Sequence, residues 1–490
     1  AQAILALAAA SEQLLSPNPD CTIGSKRTPM SLAVLKKWWD EHKDKEFCLN
    51  DFPYTFLQAQ MAMVFCMAIV IALVLACIWG AGYPKRSCES KAAPAAARPM
   101  PPMLTLDLIR TLVIANIIFL HGRCSWRFLV RNGIDGMVII SGFVNFLSTS
   151  NKIAQFDVPS GAAFLARRVS RLLPGYYIIL IWCANQGTPD EPNISWPLNG
   201  LCLQSLTPVR MCHQHLWLPF RATGHGWYVS MTLIHTLFFP FVYNKMAYCS
   251  SWRSLACAFI SVVALHWFIF NVLVNTWANS LADPNFAIGY RLLQLFMGML
   301  VAKFTCMVPP GFLQHKIWWL ILPLALGLAF DVKWYNKLHG DLFQVIPFLY
   351  NEMWPLSWCL VIVAAKAVAE QSVAEKGKDE SRETSTLLRL VSWLVGAPCQ
   401  WISYLAKYSY GAYLYQRIAH HFLGWDWYEH SADVCYLPVL ISWALAIPSE
   451  YYVEKPVMQA VEWLIKTRIA TKARDPYQEL TGSVSKALLK

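Results

Sequence analysis

Charged residues are scarce in this chain. Asp, Glu, Lys and Arg make up 14% of its 490 residues, against roughly 25% in an average soluble domain, which excludes a water-facing surface over most of the protein. Acidic residues are the rarer sign, 30 against 41 basic ones, for a net charge of +11. On so apolar a chain that excess faces anionic lipid or cytosolic solvent, and no nucleic-acid partner is expected. No internal repeat of fixed period is present, which excludes a solenoid or propeller. What fills the sequence instead is apolar: 56% hydrophobic residues and a mean hydropathy of +0.36.

These features predict an all-α fold, a polytopic transmembrane helix bundle of about eleven spans. The first span, Met61–Gly80, lies inside a run without any charge from Phe52 to Pro84. After a Pro/Ala-rich linker at Ala92–Met103, ten apolar segments follow, at about 104–121, 133–149, 172–186, 226–244, 254–277, 285–302, 317–330, 343–365, 404–422 and 434–452. With residues 1–52 outside, the inside segments hold 24 basic residues and the short outside loops seven. The positive-inside rule therefore favours N-terminus out and C-terminus in. The expected organisation is an outside segment 1–52, a lone span and linker 53–103, a ten-helix core 104–460 and a cytosolic tail 461–490. An outside N-terminus calls for a signal peptide removed before Ala1, and Ala1–Leu15 reads either as a targeting remnant or as an interfacial helix. Glu370–Thr386 reads as a solvated loop.

The span from Leu104 to His121 carries two charges, Asp107 and Arg110. An ionisable residue near the middle of a membrane helix costs roughly 2.5–3.5 kcal/mol, so it pairs or lines a polar cavity. His121 follows Arg110 by eleven positions, which is three turns plus about 20°, so the two share one face about 16 Å apart. Asp107 lies one turn before Arg110, placed to neutralise it.

Cys21 and Cys48 bracket the N-terminal segment, and Cys202 and Cys212 sit in the long loop Gly187–His225. Both pairs are placed for disulfides in an oxidising lumen. The same loop carries Asn193-Ile194-Ser195, a glycosylation acceptor pattern usable on a lumenal face. Cys212, His213 and His215 lack a fourth ligand at zinc-like spacing, so no metal is expected. Arg291, His235 and His266 read either as cavity-lining groups or as satisfied bundle residues.

Leu106-Asp107-Leu108-Ile109-Arg110 leading to His121 resembles the first core helix of membrane acyltransferase family 3. Asp135 followed by Ser141-Gly142-Phe143 is similar to that family's second helix, and Arg167-Arg168 with Arg171 and Pro174 to its basic cytosolic motif. Trp227-Tyr228-Val229-Ser230 to Pro240 looks like its fourth helix, Ser409-Tyr410 with Tyr413-Leu414 like its penultimate one, and Val453-Glu454-Lys455-Pro456 like its closing motif. An outside cysteine-bearing segment and a lone span ahead of the core resemble the eukaryotic nose-resistant-to-fluoxetine branch.

The resemblance implies a membrane-bound O-acyltransferase that moves an acyl group from acyl-CoA, a co-substrate rather than a tightly bound cofactor, to a hydroxyl of a lipid, sterol or sugar. His121 is the candidate general base, its reference pKa of about 6.5 suiting proton transfer near neutrality. Asp135 is a candidate to orient it, or a helix cap. Arg110 is placed to stabilise an oxyanion or hold a donor carbonyl or phosphate. Arg167, Arg168 and Arg171 are expected at the donor phosphates, or mark the inside boundary. The expected setting is an ER-like endomembrane, the plasma membrane or an organelle membrane, with membrane lipids, the acyl donor and other membrane-protein subunits as partners. The chain departs from the family pattern at Thr232, where a glutamate is usual, at Gln416, where a histidine is usual, and at Gly136-Met137-Val138, where the second helix usually has paired phenylalanines. The alternative these losses raise is a catalytically decayed relative retained as a structural or lipid-binding subunit of a larger membrane complex.

Overall fold

The computed structural model describes residues 103–121, 133–150, 152–186, 195–203, 205, 226–247, 249, 251–269, 288–329, 347–379, 398, 400–423 and 436–469. The N-terminal segment with its cysteines, the lone span, Asn193, Cys212 to His215 and the end of the tail lie outside these residues. Among the described residues the structure is helical, without strands. In chain order the helices are α1 Leu104–His121, α2 Gly133–Ser150, α3 Val158–Gln186, α4 Ser195–Gly200, α5 Trp227–Ala247, α6 Trp252–Phe268, α7 Ile288–Met307, α8 Pro310–Leu313, α9 Trp318–Ala329, α10 Pro347–Asp379, α11 Ser409–Phe422 and α12 Tyr436–Ser449. A wide π turn, Glu450–Glu454, follows α12, and residues 455–469 continue as helix.

Taken by length and hydropathy alone, α2 is the one described helix apolar enough to cross a membrane in a single piece, with α6 and α9 as shorter apolar helices.

Two helices start or end well beyond their apolar runs. α3 begins at Val158 rather than near 172, because its first half is amphipathic and buries Ala163 and Ala166 against Val461, Ile465 and Ile469 of the C-terminal helix. α10 runs on to Asp379, through part of the stretch expected as a loop, and its Lys366 pairs with Glu370 one turn on at 2.7 Å.

The centre of the bundle is the crossing of α2 and α7. A Cβ added at Gly142 would collide with the backbone of Leu295, and one added at Gly298 with the backbone of Ile139. Each helix thus offers its glycine to the other's main chain, the small-residue contact that lets membrane helices approach closely. Around it pack α1, α10 and α5, burying Phe143, Ile114, Ile118, Trp358 and Phe239. α11 and α12 pair along their length and lean on α1.

Candidate active site

The first half of α1 is stitched to the start of α11 and to the helical turn before it. The Arg110 guanidinium donates to Ser409 Oγ at 3.2 Å and stands 4.0 Å from the Asp107 carboxylate. Asp107 accepts from Ser403 Oγ at 3.0 Å, and Thr111 Oγ donates to the Ile402 carbonyl at 3.2 Å. The ion pair expected from the sequence is therefore present as a long contact, reinforced from a second helix. Arg110 is in turn close enough to Arg171 and Tyr228 to feel their charge and dipole.

At the far end of α1, His121 Nδ1 lies 2.9 Å from the Gln416 amide oxygen. The Gln416 amide nitrogen donates to the Tyr413 carbonyl at 2.7 Å, which turns the oxygen toward the imidazole. An acceptor at 2.9 Å requires Nδ1 to carry the proton, so Nε2 is the basic nitrogen of the neutral ring. His420, one turn beyond Gln416, is also within electrostatic range of His121. Ser409 and Gln416, which hold the two ends of the motif, are seven residues apart on α11, about 10 Å.

Asp135 occupies a different place from the one expected. Its carboxylate is buried against the Arg291 guanidinium in an ion pair between α2 and α7, with the two side chains 7% and 1% exposed. Arg291 also donates to Gln294 Oε1 at 2.7 Å, and Gln294 Nε2 lies 3.3 Å from His266 Nε2. The contact at His121 Nδ1 is made by Gln416, and Asp135 belongs to this second, fully buried polar chain.

The three arginines expected at the donor phosphates diverge. Arg167 points outward and bonds Glu462 of the C-terminal helix at 2.6 Å. That bond holds the Glu462 carboxyl below its ordinary value. Arg168 lies over the Phe164 ring at 5.4 Å, and Arg171 faces Arg110, Arg168 and Glu454. Glu454, 3% exposed, reaches α3 because residue 175 is glycine: a Cβ there would sit 3.1 Å from its Oε1. The Glu454 contact was invisible in sequence, since only its membership of a closing motif marked it.

Between α2, α3 and α5 lies a cavity of about 20 Å³, room for one water molecule, lined by Ser141, Asn145, Tyr228, Thr232, His235 and Thr236 among others. The stacked rings of Phe164 and Phe239, 5.0 Å apart, floor it. Thr232 and Thr236 spend their hydroxyl protons on the carbonyls one turn back, at 2.7 and 2.8 Å, so their oxygens face the cavity as acceptors. His235 Nε2 has no hydrogen-bond partner among the described residues.

The chain that follows α3 folds back into the bundle. Tyr176 donates to the Asn199 carbonyl at 2.9 Å and Tyr177 to the Gly200 carbonyl at 3.2 Å, although both tyrosines lie about ten residues, or 15 Å, below the end of α3. Ser205 then meets Ser230 of α5 at 2.5 Å. Cys202, in this segment, is a buried free thiol rather than half of a disulfide, and it holds the left-handed backbone (φ 55°) that turns the chain.

A protein-family model described as an acyltransferase domain matches residues 103–449. No curated protein and no solved structure matches the chain.

Proposed function

Since the chain belongs to acyltransferase family 3, a family of membrane acyltransferases, we propose that it is an O-acyltransferase of the nose-resistant-to-fluoxetine-like branch that carries an acyl group from acyl-CoA on the cytosolic side to a hydroxyl of a lipid, sterol or sugar. The observation that carries the reading is the His121–Gln416–Tyr413 chain of contacts, which fixes the tautomer a general base needs. His121 Nε2 takes the proton from the acceptor hydroxyl as its oxygen attacks the thioester carbon. The carbon–sulfur bond then breaks, and the proton passes to the departing sulfur, giving the ester and the free thiol.

With its anchors about 10 Å apart on α11, one thioester carbonyl cannot touch both Arg110 and His121. Arg110 is therefore better suited to the donor's arm or phosphates than to the oxyanion, beside Arg171 and Arg168. Arg167, tied to Glu462, contributes least. Gln416 supplies the hydrogen bond that orients the base, so its difference from the family's histidine does not remove that function.

The test is acyl-CoA consumption by the purified protein in lipid nanodiscs, with phospholipid, sterol and sugar acceptors supplied in turn. His121→Ala is expected to lower turnover by about 10²–10⁴-fold, with melting unchanged. Arg168→Gln and Arg171→Gln are expected to raise the KM for the donor. Equal transfer by wild type and His121→Ala overturns the reading. A wild type that turns over no donor yet co-purifies with partner subunits points to the structural role instead.

A further inference from the structure

At the inner end of the bundle three tyrosines from two segments meet. Tyr408, 2% exposed, closes the helical stretch 401–407 just before α11, and its hydroxyl reaches Tyr404 at 2.8 Å and Tyr451 of the π turn at 3.3 Å. Tyr404 and Tyr451 are themselves 3.4 Å apart and about two-fifths exposed. The buried Tyr408 hydroxyl donates toward these two oxygens, and the long Tyr404–Tyr451 contact occupies at most one of the outer protons, which leaves a phenol proton for an incoming acceptor.

Two ammonium groups flank the same spot. Lys407 Nζ stands over the Tyr408 ring at 5.1 Å and the Tyr451 ring at 5.5 Å, and Lys455 Nζ over Tyr451 at 5.6 Å. Glu450 touches Lys407 at 3.8 Å but is mostly covered, whereas Lys407 is 46% exposed. The patch is thus net positive. Beside it Trp401, its ring 6.2 Å from that of Tyr404, and Tyr452, next to Tyr451 in the chain, are 68% and 81% exposed, the amphipathic rings that settle at a membrane–water boundary.

We propose that this patch is a binding site for the headgroup of an anionic phospholipid in the inner leaflet. The phosphate accepts from the Tyr404 and Tyr451 hydroxyls and is balanced by Lys407 and Lys455, while Trp401 and Tyr452 lie along the glycerol and upper acyl region. The exposed rings argue for a lipid over free phosphate, since a dissolved ion has no use for them. The site is independent of the acyltransfer chemistry and is tested without an acyl donor.

The full-length protein is reconstituted into nanodiscs of phosphatidylcholine mixed with phosphatidylglycerol, re-extracted, and its retained lipids counted by native mass spectrometry. Wild type is expected to enrich phosphatidylglycerol over its share of the bilayer. Lys407→Gln with Lys455→Gln is expected to cut that enrichment about tenfold or more, because a lysine near an anionic surface is worth roughly a factor of five. Tyr404→Phe with Tyr451→Phe keeps the rings and removes the donors, and a several-fold drop is expected with melting in pure phosphatidylcholine unchanged. Undiminished enrichment in the lysine variant overturns the proposal. Displacement of the lipid by inorganic phosphate at millimolar concentration also overturns it, by making a free ion the ligand.

Discussion

Gln416 is the residue whose reading changes most between sequence and structure. In the linear pattern it stands where a titratable group is missing; in space it is the partner of His121. Gln416→Leu removes the acceptor while keeping the volume, so the ring loses its preferred tautomer. Turnover is expected to fall roughly tenfold to a hundredfold with little change in donor KM, in steady-state kinetics. Arg291 gives a second prediction at this scale. Breaking a buried ion pair strands a charge and costs about 3–5 kcal/mol, whereas replacing both partners is far milder. Asp135→Asn and Arg291→Met are each expected to lower the melting temperature in detergent markedly, and the double variant to recover most of the loss. Neither pairing was legible in the sequence, because the partners are 295 and 156 positions apart and one of each pair was read as something else. Arg110 and His121 were legible, since their shared face follows from helix geometry alone.

The elements were more readable than their contacts. Apolar runs located α1, α2, α5 and α12 to within a few residues, because in those helices the apolar run and the helix are of nearly the same length. The amphipathic start of α3 and the charged end of α10 escaped the same reasoning, since hydropathy marks the bilayer core and not the helix that extends past it. The α2–α7 crossing carries its own prediction. Gly298→Ala, driven against the Ile139 main chain, is expected to cost about 1–3 kcal/mol by forcing the helices apart, measured as a lowered midpoint of unfolding in detergent. The docking of the C-terminal helix on α3 is weaker and depends on pH. Glu462 has a depressed carboxyl, so its bond to Arg167 stabilises the folded state above the ordinary carboxylate value of 4.5 and is lost as pH falls below it. Both groups are well exposed, so the effect is under about 1 kcal/mol. Glu462→Gln is expected to flatten the acid limb of the protease sensitivity of residues 455–469.

For the whole molecule, the proposed function combined with the bias of basic residues implies donor and acceptor on opposite sides of the membrane. On that reading Arg168 and Arg171 face a water-soluble nucleotide donor, and His121, at the opposite end of α1 from Arg110, faces the acceptor. An impermeant amine reagent applied to sealed vesicles is expected to label the segment from Lys455 onward only from the face that presents Arg168, and Asn193 to be glycosylated on the opposite one. Labelling of both on one face breaks the two-sided arrangement.

A bundle that keeps arginine, aspartate and histidine in its interior also runs an electrical risk, because a file of water along such groups conducts protons. The segment after α3 is the element expected to interrupt such a file. Pinned by Tyr176, Tyr177 and Ser230, residues 195–203 and Ser205 lie against α3 and α5, with the Pro197, Asn199 and Gly200 carbonyls already accepting bonds. Loosening that stopper with Tyr176→Phe and Tyr177→Phe is expected to let a pH gradient across proteoliposomes decay faster than with wild type. A slower decay in wild type than in the double variant would mean that the inward fold tying α3 to α5 is what lets the surrounding membrane hold a voltage.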